Sequence, residues 1–318
     1  MLWYIATRLA QAFAVIAVVS LVVFALIRII PGDPAVTLAG PDATPEAIEA
    51  IRSGLGLDKP VFEQYWRWLG GVLTGDLGLS YYFQRPVTDL VATAFPITLR
   101  LGITSMVLAA ILGILLGIAS SAAKHRWVRN LAEGFTTAAY AVPNFVLGLL
   151  LIIVFAVWLR ALPPGGWVPI TPDPGLSIRL MILPVLALAL PLAGVIARFQ
   201  HASMDETLRE EYMLTSRAKG TPRWRLLGID AQRNAAIPVL TILGIQFGHV
   251  LGGAVVVETV FSIPGLGRLL LQAVLNRDYP TVQGVLLLLA AIFVVVNLIV
   301  DLLYGVIDPR VRRTGARP

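Results

Sequence analysis

Cysteine is absent from this chain of 318 residues, and charged residues make up only 14% of it. The lack of cysteine excludes disulfides, thiolate metal sites and cysteine nucleophiles, and it is compatible with any compartment. Soluble domains carry about 25% charged residues, so the low charge argues against a soluble protein. Histidine is also scarce, and neither the spacing of its three copies nor any HExxH motif indicates a zinc site.

Apolar residues, in contrast, account for 57% of the chain. They fall into blocks of about 20 residues, the length of a helix that crosses a bilayer. In lipid the backbone must satisfy its own hydrogen bonds, so these blocks should be helices. The predicted fold is an all-α polytopic membrane protein, a single transmembrane domain with six transmembrane helices. These span about residues 9–30, 99–123, 134–159, 179–199, 235–257 and 281–303.

Arginine and lysine are concentrated on one side of the predicted spans. That side holds Arg8, the turn with Lys124, the loop 200–234 and the tail 310–317. The short loops of the other side hold fewer basic residues, which are Arg160, Arg179, Arg268 and Arg277. Because cytoplasmic loops are enriched in arginine and lysine, both termini should be cytoplasmic. The net charge of +6 has the same explanation and does not indicate nucleic-acid binding.

Residues 31–96 then form a long extracytoplasmic loop with short helices. Thr44-Pro45-Glu46 predicts a helix start, with Thr44 as N-cap and Pro45 at the first helical position, and Gly54 predicts its end. A second short helix is predicted from Pro60 to Gly70-Gly71. Its aromatic residues fit either the membrane interface or a surface that shapes the outer mouth or touches a delivery protein.

The cytoplasmic loop 200–234 carries the most specific pattern. Ser203-x-x-Glu206 reads as a capping box that starts a helix, and Gly220 as its stop. Thr221-Pro222 predicts the start of a second helix. The pair would join the fourth and fifth spans directly, so a partner that pushes on it would move both. A plain solvated connecting loop remains the alternative.

Residues 211–220 and 233–238 resemble the EAA loop of ABC importer permeases, in the version found in dipeptide and oligopeptide permeases. The shared pieces are R-A-K-G, which ends at Gly220, and R-N-A-x-I-P, which ends at Pro238; Leu214-Thr215-Ser216 stands where E-A-A would fall. Further matching pieces follow in order at 31–34 (PGDP), 55–60 (LGLDKP), 75–80 (GDLGLS), 258–267 (ETVFSIPGLG) and 308–312 (DPRVR). The large outer loop resembles that of the first of the two permease subunits in such systems.

The resemblance implies a type I permease of a bacterial inner membrane, which imports its cargo by alternating access. Its partners would be a second homologous permease, two cytoplasmic ABC ATPase subunits and an extracytoplasmic substrate-binding protein. The ATPases would bind ATP and Mg²⁺. This chain would hold no cofactor and do no ATP chemistry, because none of its lysines fits the phosphate-loop pattern. The ATPase-coupling residues would be Glu211, Thr215, Arg217, Ala218, Lys219, Gly220, Thr221, Pro222 and Arg223.

The implied cargo is a di- or oligopeptide, and a nickel chelate, glutathione or another small solute stays open within the same class. A stand-alone secondary transporter would show inverted repeats, and an intramembrane enzyme would need a catalytic pair in the spans; the sequence displays neither. Polar residues inside spans are costly, which makes them candidates for the transport path. They are Asn144, Gln246, His249 and Asn297, and each could instead bond a neighbouring helix.

Overall fold

The computed structural model describes residues 2–29, 33–40, 42–123 and 126–307. Within them nearly all regular structure is helical, and the pairing of Leu79 with Pro86 is an isolated antiparallel bridge. The predicted all-α class is therefore confirmed. Part of the PGDP piece, Lys124 and the basic tail lie outside the described residues.

Five helices contain segments long and apolar enough to cross a bilayer. They are α1 (Leu2–Ile29), α5 (Val87–Ala122), α8 (Pro174–Thr207), α11 (Gln232–Val260) and α13 (Tyr279–Ile307). They overlap the first, second, fourth, fifth and sixth predicted spans. Several run beyond the apolar block, because backbone hydrogen bonding continues in water where the sequence permits a helix.

The third predicted span, 134–159, is not one continuous helix. It falls on α6 (Arg126–Ala141) and α7 (Asn144–Leu151), and a π-helical stretch (Ile152–Trp158) continues α7. The break lies at Pro143, which has no N–H to donate and disfavours helical geometry in the residue before it. Three other span prolines, Pro184, Pro191 and Pro238, lie inside unbroken helices.

Short helices fill the segments between the long ones. They are α2 (Pro34–Ala39), α3 (Pro45–Gly54), α4 (Val61–Thr74), α9 (Glu211–Ala218), α10 (Arg223–Arg225) and α12 (Leu266–Leu275). Thr44 caps α3 as predicted, because its hydroxyl accepts the Ala47 N–H at 3.3 Å. The predicted end of α4 at Gly70-Gly71 is wrong, since the helix continues to a left-handed Gly75. The sequence reasoning did not foresee α12.

The described chain divides into two compact units. The larger one contains residues up to Arg8, Thr98–Ile263 and residues from Val296 on, and its centre is α8 packed against α6, α7 and α11. Glycines let α5 approach α8 closely: a Cβ on Gly113 would lie 2.6 Å from Ile196, and one on Gly117 would lie 2.5 Å from Gln200. Small residues at such contacts are the usual means of close helix packing in membranes.

The smaller unit contains Leu9–Ile97 and Pro264–Val295. A buried carboxylate, that of Asp278, organises it before the start of α13. It accepts hydrogen bonds from the Ser80 hydroxyl at 2.5 Å, the Tyr81 N–H at 2.9 Å and the Thr281 hydroxyl at 2.7 Å. These bonds fix the 79–86 turn between α4 and α5 against the helix that follows Asp278.

Candidate functional site

The loop between α8 and α11 is built on a small apolar cluster of its own. The predicted capping box at Ser203 and Glu206 is wrong, because both residues lie inside α8, which continues to Thr207. Burial explains the continuation: Met204 is fully buried and Ser203 is nearly so. The fully buried Met213 fixes α9 to this cluster, whose other members are Met204, Leu226, Leu227, Ala231 and Ala235.

Gly220 forms the turn after α9 in a left-handed conformation, with φ of +78°. The Gly220 N–H donates to the Arg217 carbonyl at 2.9 Å, and the Thr221 N–H reaches back to the Ser216 carbonyl at 3.3 Å. This pattern is a Schellman-type helix end, which favours glycine at the left-handed position. No atom lies within 4 Å of the place where a Cβ would stand, so conformation and not space restricts this position. The predicted helix stop is confirmed.

Most of the predicted coupling residues project from this turn into open space. Thr221 is half-buried, and the exposed ones are Glu211, Thr215, Arg217, Ala218, Lys219, Gly220, Pro222 and Arg223. Arg223 is also tied back, because its guanidinium donates to the Ala122 carbonyl at the end of α5 at 2.7 Å. The second helix begins at Arg223, one residue later than predicted, with Pro222 at the N-cap.

Large apolar side chains share this exposed surface, and the sequence reasoning did not single them out. They are Tyr212, Leu214, Trp224 and Ile229, and Trp224 is 70% exposed. Exposed apolar groups beside basic ones are typical of a surface that a protein partner covers. We call this surface, residues 211–225 with Ile229, the coupling face.

The coupling face is mechanically continuous with the long helices. A π-helical stretch, Leu226–Ala231, joins α10 to α11 without a break. The amide of Gln200 on α8 donates to the amide oxygen of Gln232 on α11 at 2.9 Å, and Asn234 donates to the Tyr212 hydroxyl at 2.8 Å. Hydrogen bonds thus link α9 to α11 and α11 to α8.

A cavity of about 550 Å³ lies in the larger unit beside the helix break at Pro143. Three of the four polar residues proposed for the transport path line it: Asn144, Gln246 and His249. The fourth, Asn297, is half-buried on α13 and is not among the lining residues. The structure thus brings together three side chains that come from two distant parts of the sequence.

A helix break and three glycines leave room for this cavity. The break at Pro143 brings the start of α7 to its wall, and three glycines of α11, Gly248, Gly252 and Gly253, line it without side chains. A Cβ on Gly253 would lie 2.6 Å from the Asn144 amide nitrogen and 3.1 Å from a Leu188 methyl, so a larger residue would displace the Asn144 side chain.

A second cavity, of about 490 Å³, lies between α6 and α8, and Val195 lines both. Its polar lining comes from Thr136, Thr137 and Arg198. Along α8 the lining residues of the two cavities recur every three or four positions, from Leu188 to Ala202, so one face of the helix follows both for about 21 Å.

Glu258 is a buried acid near the end of α11 that the sequence reasoning treated only as part of a family motif. It is fully buried, and its carboxylate accepts a hydrogen bond from the Thr98 hydroxyl at 2.6 Å. Three residues later, Phe261 packs against Gly148, and its carbonyl accepts the Gly166 N–H at 2.7 Å. Glu258 therefore lies where the fifth span meets the segment that follows α7.

Within residues 2–29, 33–40, 42–123 and 126–307, no group of three or more histidine, aspartate or glutamate side chains is placed to hold a metal ion. The described residues offer an exposed surface with basic and apolar side chains and a cavity with a partly polar lining.

Comparison with known proteins adds independent findings. Residues 109–313 match the family described as "Binding-protein-dependent transport system inner membrane component", and residues 1–102 match "Binding-prot-dependent transport system membrane comp, N-term". The chain is 44% identical over 312 residues to the "Glutathione transport system permease protein GsiC" of Escherichia coli O6:H1, covering 98% of this chain and 99% of that protein. The same-named protein of Escherichia coli strain K12 is 43% identical over the same shares.

Among solved structures, the chain resembles the one titled "Crystal structure of an amino acid ABC transporter with histidines". The TM-score is 0.47 at 18% identity, covering 70% of this chain and 94% of that one. This likeness is too distant to bear on function.

Proposed function

The chain belongs to the family of inner membrane components of binding-protein-dependent transport systems, so it is a permease subunit of an ABC importer, and we propose that its cargo is a short peptide. The observation that carries the proposal is the near full-length similarity to permeases named for glutathione transport. Glutathione is a tripeptide, so the names of these relatives and the peptide-type loop pieces indicate the same cargo class.

A nickel chelate or another small solute is the competing cargo, and the substrate-binding protein distinguishes the two. We expect that protein to bind short peptides, glutathione among them, when titrated in solution. Tight binding of a metal chelate with no measurable binding of any peptide would refute the peptide assignment and leave the importer class untouched.

The coupling face is the proposed docking surface for the two ATPase subunits. Its support is the combination of Met213, which fixes α9 from within, with exposed basic and apolar side chains on the outside. Because Asn234 of α11 bonds to Tyr212 of α9, and the Gln200–Gln232 amide pair joins α11 to α8, ATPase closure would shift these helices together. Such rigid-body movement is an established way to alternate access to a central site.

The cavity lined by Asn144, Gln246 and His249 is the proposed part of the transport path. Amide and imidazole groups offer hydrogen bonds to peptide groups that leave water, which an apolar wall cannot do. Val195, shared by this cavity and the next, is the proposed constriction between them. The helix face from Leu188 to Ala202 would then guide the cargo along α8.

Reconstitution tests the proposal as a whole. The chain alone in proteoliposomes should show no ATPase activity. Together with its second permease, ATPases and binding protein it should support ATP-dependent uptake, and loaded binding protein should stimulate ATP hydrolysis. Robust uptake by this chain alone without ATP would contradict the assignment of these partners.

Replacement of Gln246 or His249 by leucine tests the path. We expect uptake to fall about tenfold, a barrier increase of about 1.4 kcal/mol, while ATPase docking stays intact. Asn297→Leu is the matched control because Asn297 is a polar span residue that does not line the cavity, and its uptake should stay near that of the wild type. Equal losses in all three variants would remove the path assignment.

Membrane orientation is a further part of the proposal. The basic residues on one side of the spans support cytoplasmic termini and an extracytoplasmic 31–96 loop. Reporter fusions after Arg313 and within 42–58 should report opposite sides. The same signal at both positions would overturn this topology.

A further inference from the structure

A cleft of about 810 Å³ opens within the smaller unit, and neither the coupling face nor the path cavity uses it. Its walls come from the outer-loop helices α2, α3 and α4, the turn around Tyr81 and the start of α13. The volume is sufficient for a short peptide, since ligand pockets commonly measure about 300–1,000 Å³.

The cleft carries an excess of positive charge at one end. Lys59 and Arg67 both line it, and both pair with the same carboxylate, that of Glu63, at 2.8 and 3.5 Å. One carboxylate cannot neutralise two cations, so one positive charge remains there. The pairing lowers the pKa of Glu63, mainly through the hydrogen bond from Lys59, so Glu63 stays ionised. Exposed pairs of this kind contribute little to stability and can exchange for a ligand.

Arg52 also lines the cleft, but its positive charge is already paired. It pairs with Asp33 and with Glu49, so two carboxylates already serve one guanidinium. The hydrogen bond and the charge of Asp33 raise the pKa of Arg52. That group carries one negative charge in excess, so the excess positive charge in the cleft is confined to the Lys59–Arg67 pair.

Aromatic residues line the rest of the cleft, and one of them has an unused hydroxyl. Tyr279 lines it and is only 5% exposed, and its hydroxyl has no hydrogen-bond partner among the described residues. A buried hydroxyl without a partner is costly, so such groups usually mark a position that a ligand or water fills. Trp68 and Tyr81 add apolar surface on which a side chain can pack.

We propose that this outer cleft binds a short peptide through its C-terminal carboxylate, with Lys59 and Arg67 as the cationic contacts and the Tyr279 hydroxyl as a further donor. The use of the site in import rests on the proposed peptide cargo; the carboxylate-binding chemistry does not. A free peptide held here would be close to the membrane before it enters the path.

Equilibrium dialysis tests the site directly. The full chain is placed in phosphatidylcholine nanodiscs, and the probes are the tripeptide Ala-Ala-Phe and its C-terminal amide. We expect the free acid to bind about tenfold more tightly than the amide, because a charge-assisted hydrogen bond pair is lost with the carboxylate. Lys59→Gln combined with Arg67→Gln should weaken binding of the acid about tenfold and leave the amide unchanged. Arg85→Gln is the control, an exposed arginine of the same unit that does not line the cleft.

Tyr279→Phe separates a ligand contact from a structural role. Removing an unpartnered buried hydroxyl should leave the thermal unfolding midpoint equal or higher, while binding of the acid weakens severalfold. Unchanged binding in this variant and in the double variant would overturn the site. So would equal binding of acid and amide.

Lipid is the other source of an anionic group, and nanodiscs with added phosphatidylglycerol distinguish it. Binding of the tripeptide should persist there, whereas its loss in the wild type but recovery in phosphatidylcholine alone would assign the cleft to a lipid headgroup and overturn the proposal. Absence of tripeptide binding in the chain, with peptide uptake intact in the full importer, would refute the cleft and leave the proposed function standing.

Discussion

Gly220→Val changes the turn of the coupling face without creating a clash inside the chain. The native φ of +78° is strained for any residue with a Cβ, and the strain costs about 1–2 kcal/mol. No heavy atom lies within 4 Å of the new Cβ, so the isopropyl group projects outward. The variant should fold and insert with a small loss of stability, and its added bulk would stand where the proposed ATPase surface would contact the turn.

Two further glycines separate backbone strain from bulk. Gly75 has φ of +85° and equally open surroundings, but it lies between α4 and α5, so Gly75→Val carries the same strain on another part of the chain. Gly228 is exposed in the π-helical stretch between α10 and α11 without a positive φ and with nothing within 4 Å, so Gly228→Val adds bulk without that strain. Comparison of the three variants assigns any loss to strain, to bulk or to position.

The assay combines membrane abundance with uptake and with ATPase stimulation by loaded binding protein in proteoliposomes. We expect Gly220→Val to reach near wild-type abundance and to lose more than about tenfold in uptake, a coupling loss of at least about 1.4 kcal/mol. Gly75→Val should keep its ATPase stimulation. Wild-type uptake and stimulation in Gly220→Val would falsify the coupling role of this turn, and an equal loss in Gly75→Val would attribute the effect to strain alone.

The packing within each of the two units predicts how further substitutions change stability and membrane abundance. Asp278→Ala removes the acceptor of three hydrogen bonds and should lower the free energy of unfolding by about 3 kcal/mol, seen as a lower thermal midpoint. Gly117→Ala places a Cβ 2.5 Å from Gln200 and should reduce membrane abundance, whereas Gly134→Ala, with open surroundings, should not. Burial raises the pKa of Tyr81 from 10 to about 12. The stability that the buried neutral phenol contributes is therefore present below pH 10 and is lost as the pH rises through about 12. Tyr81→Phe should flatten that part of the profile of thermal midpoint against pH.

Much of the fold follows from the sequence because lipid leaves the backbone few options. An apolar block of about 20 residues must be helical, and five of the six predicted spans fall on continuous helices. Between α1 and α5, a helix start was also predicted correctly because its signal depends only on neighbouring residues. Thr44 and Pro45 start α3 as their side chains predict.

Predictions failed where tertiary packing overrides a local signal. Ser203 and Glu206 have the spacing of a capping box, yet α8 runs through them because neighbouring side chains on the same turns, Gln200 and Met204, are fully buried. Gly70 and Gly71 do not end α4, although glycine is a poor helix former. Burial decides the first case; α4 has no buried residue, and its end is instead set locally by the left-handed Gly75, whose N–H bonds back to the Gly71 and Val72 carbonyls.

The outer cleft could not be predicted from the sequence for a different reason. Tyr279 lies far along the chain from Lys59 and Arg67, and nothing in the sequence indicates that the three share a site. The PGDP, LGLDKP and GDLGLS pieces were informative only as family features. Lys59 and Arg67 each lie four residues from Glu63, so their pairing with it is local. The partnerless hydroxyl of Tyr279 becomes visible beside them only once the start of α13 is placed against the segment between α1 and α5.

The third predicted span shows how an error of sequence-based prediction can fall at a functional feature. Hydropathy treats residues 134–159 as one helix because an apolar run does not reveal a backbone break. Four prolines lie within the predicted spans that follow the second, and only Pro143 coincides with an interruption. At that interruption the Asn144 amide lies against Gly253, where a larger residue would displace it. A broken helix exposes backbone polar groups, which a membrane tolerates where they are buried in protein or line a water-filled cavity. The coincidence of the break with the polar cavity is therefore the physical reason to look for the transport path at Pro143; Pro191 of α8 lines the same cavity but does not break its helix.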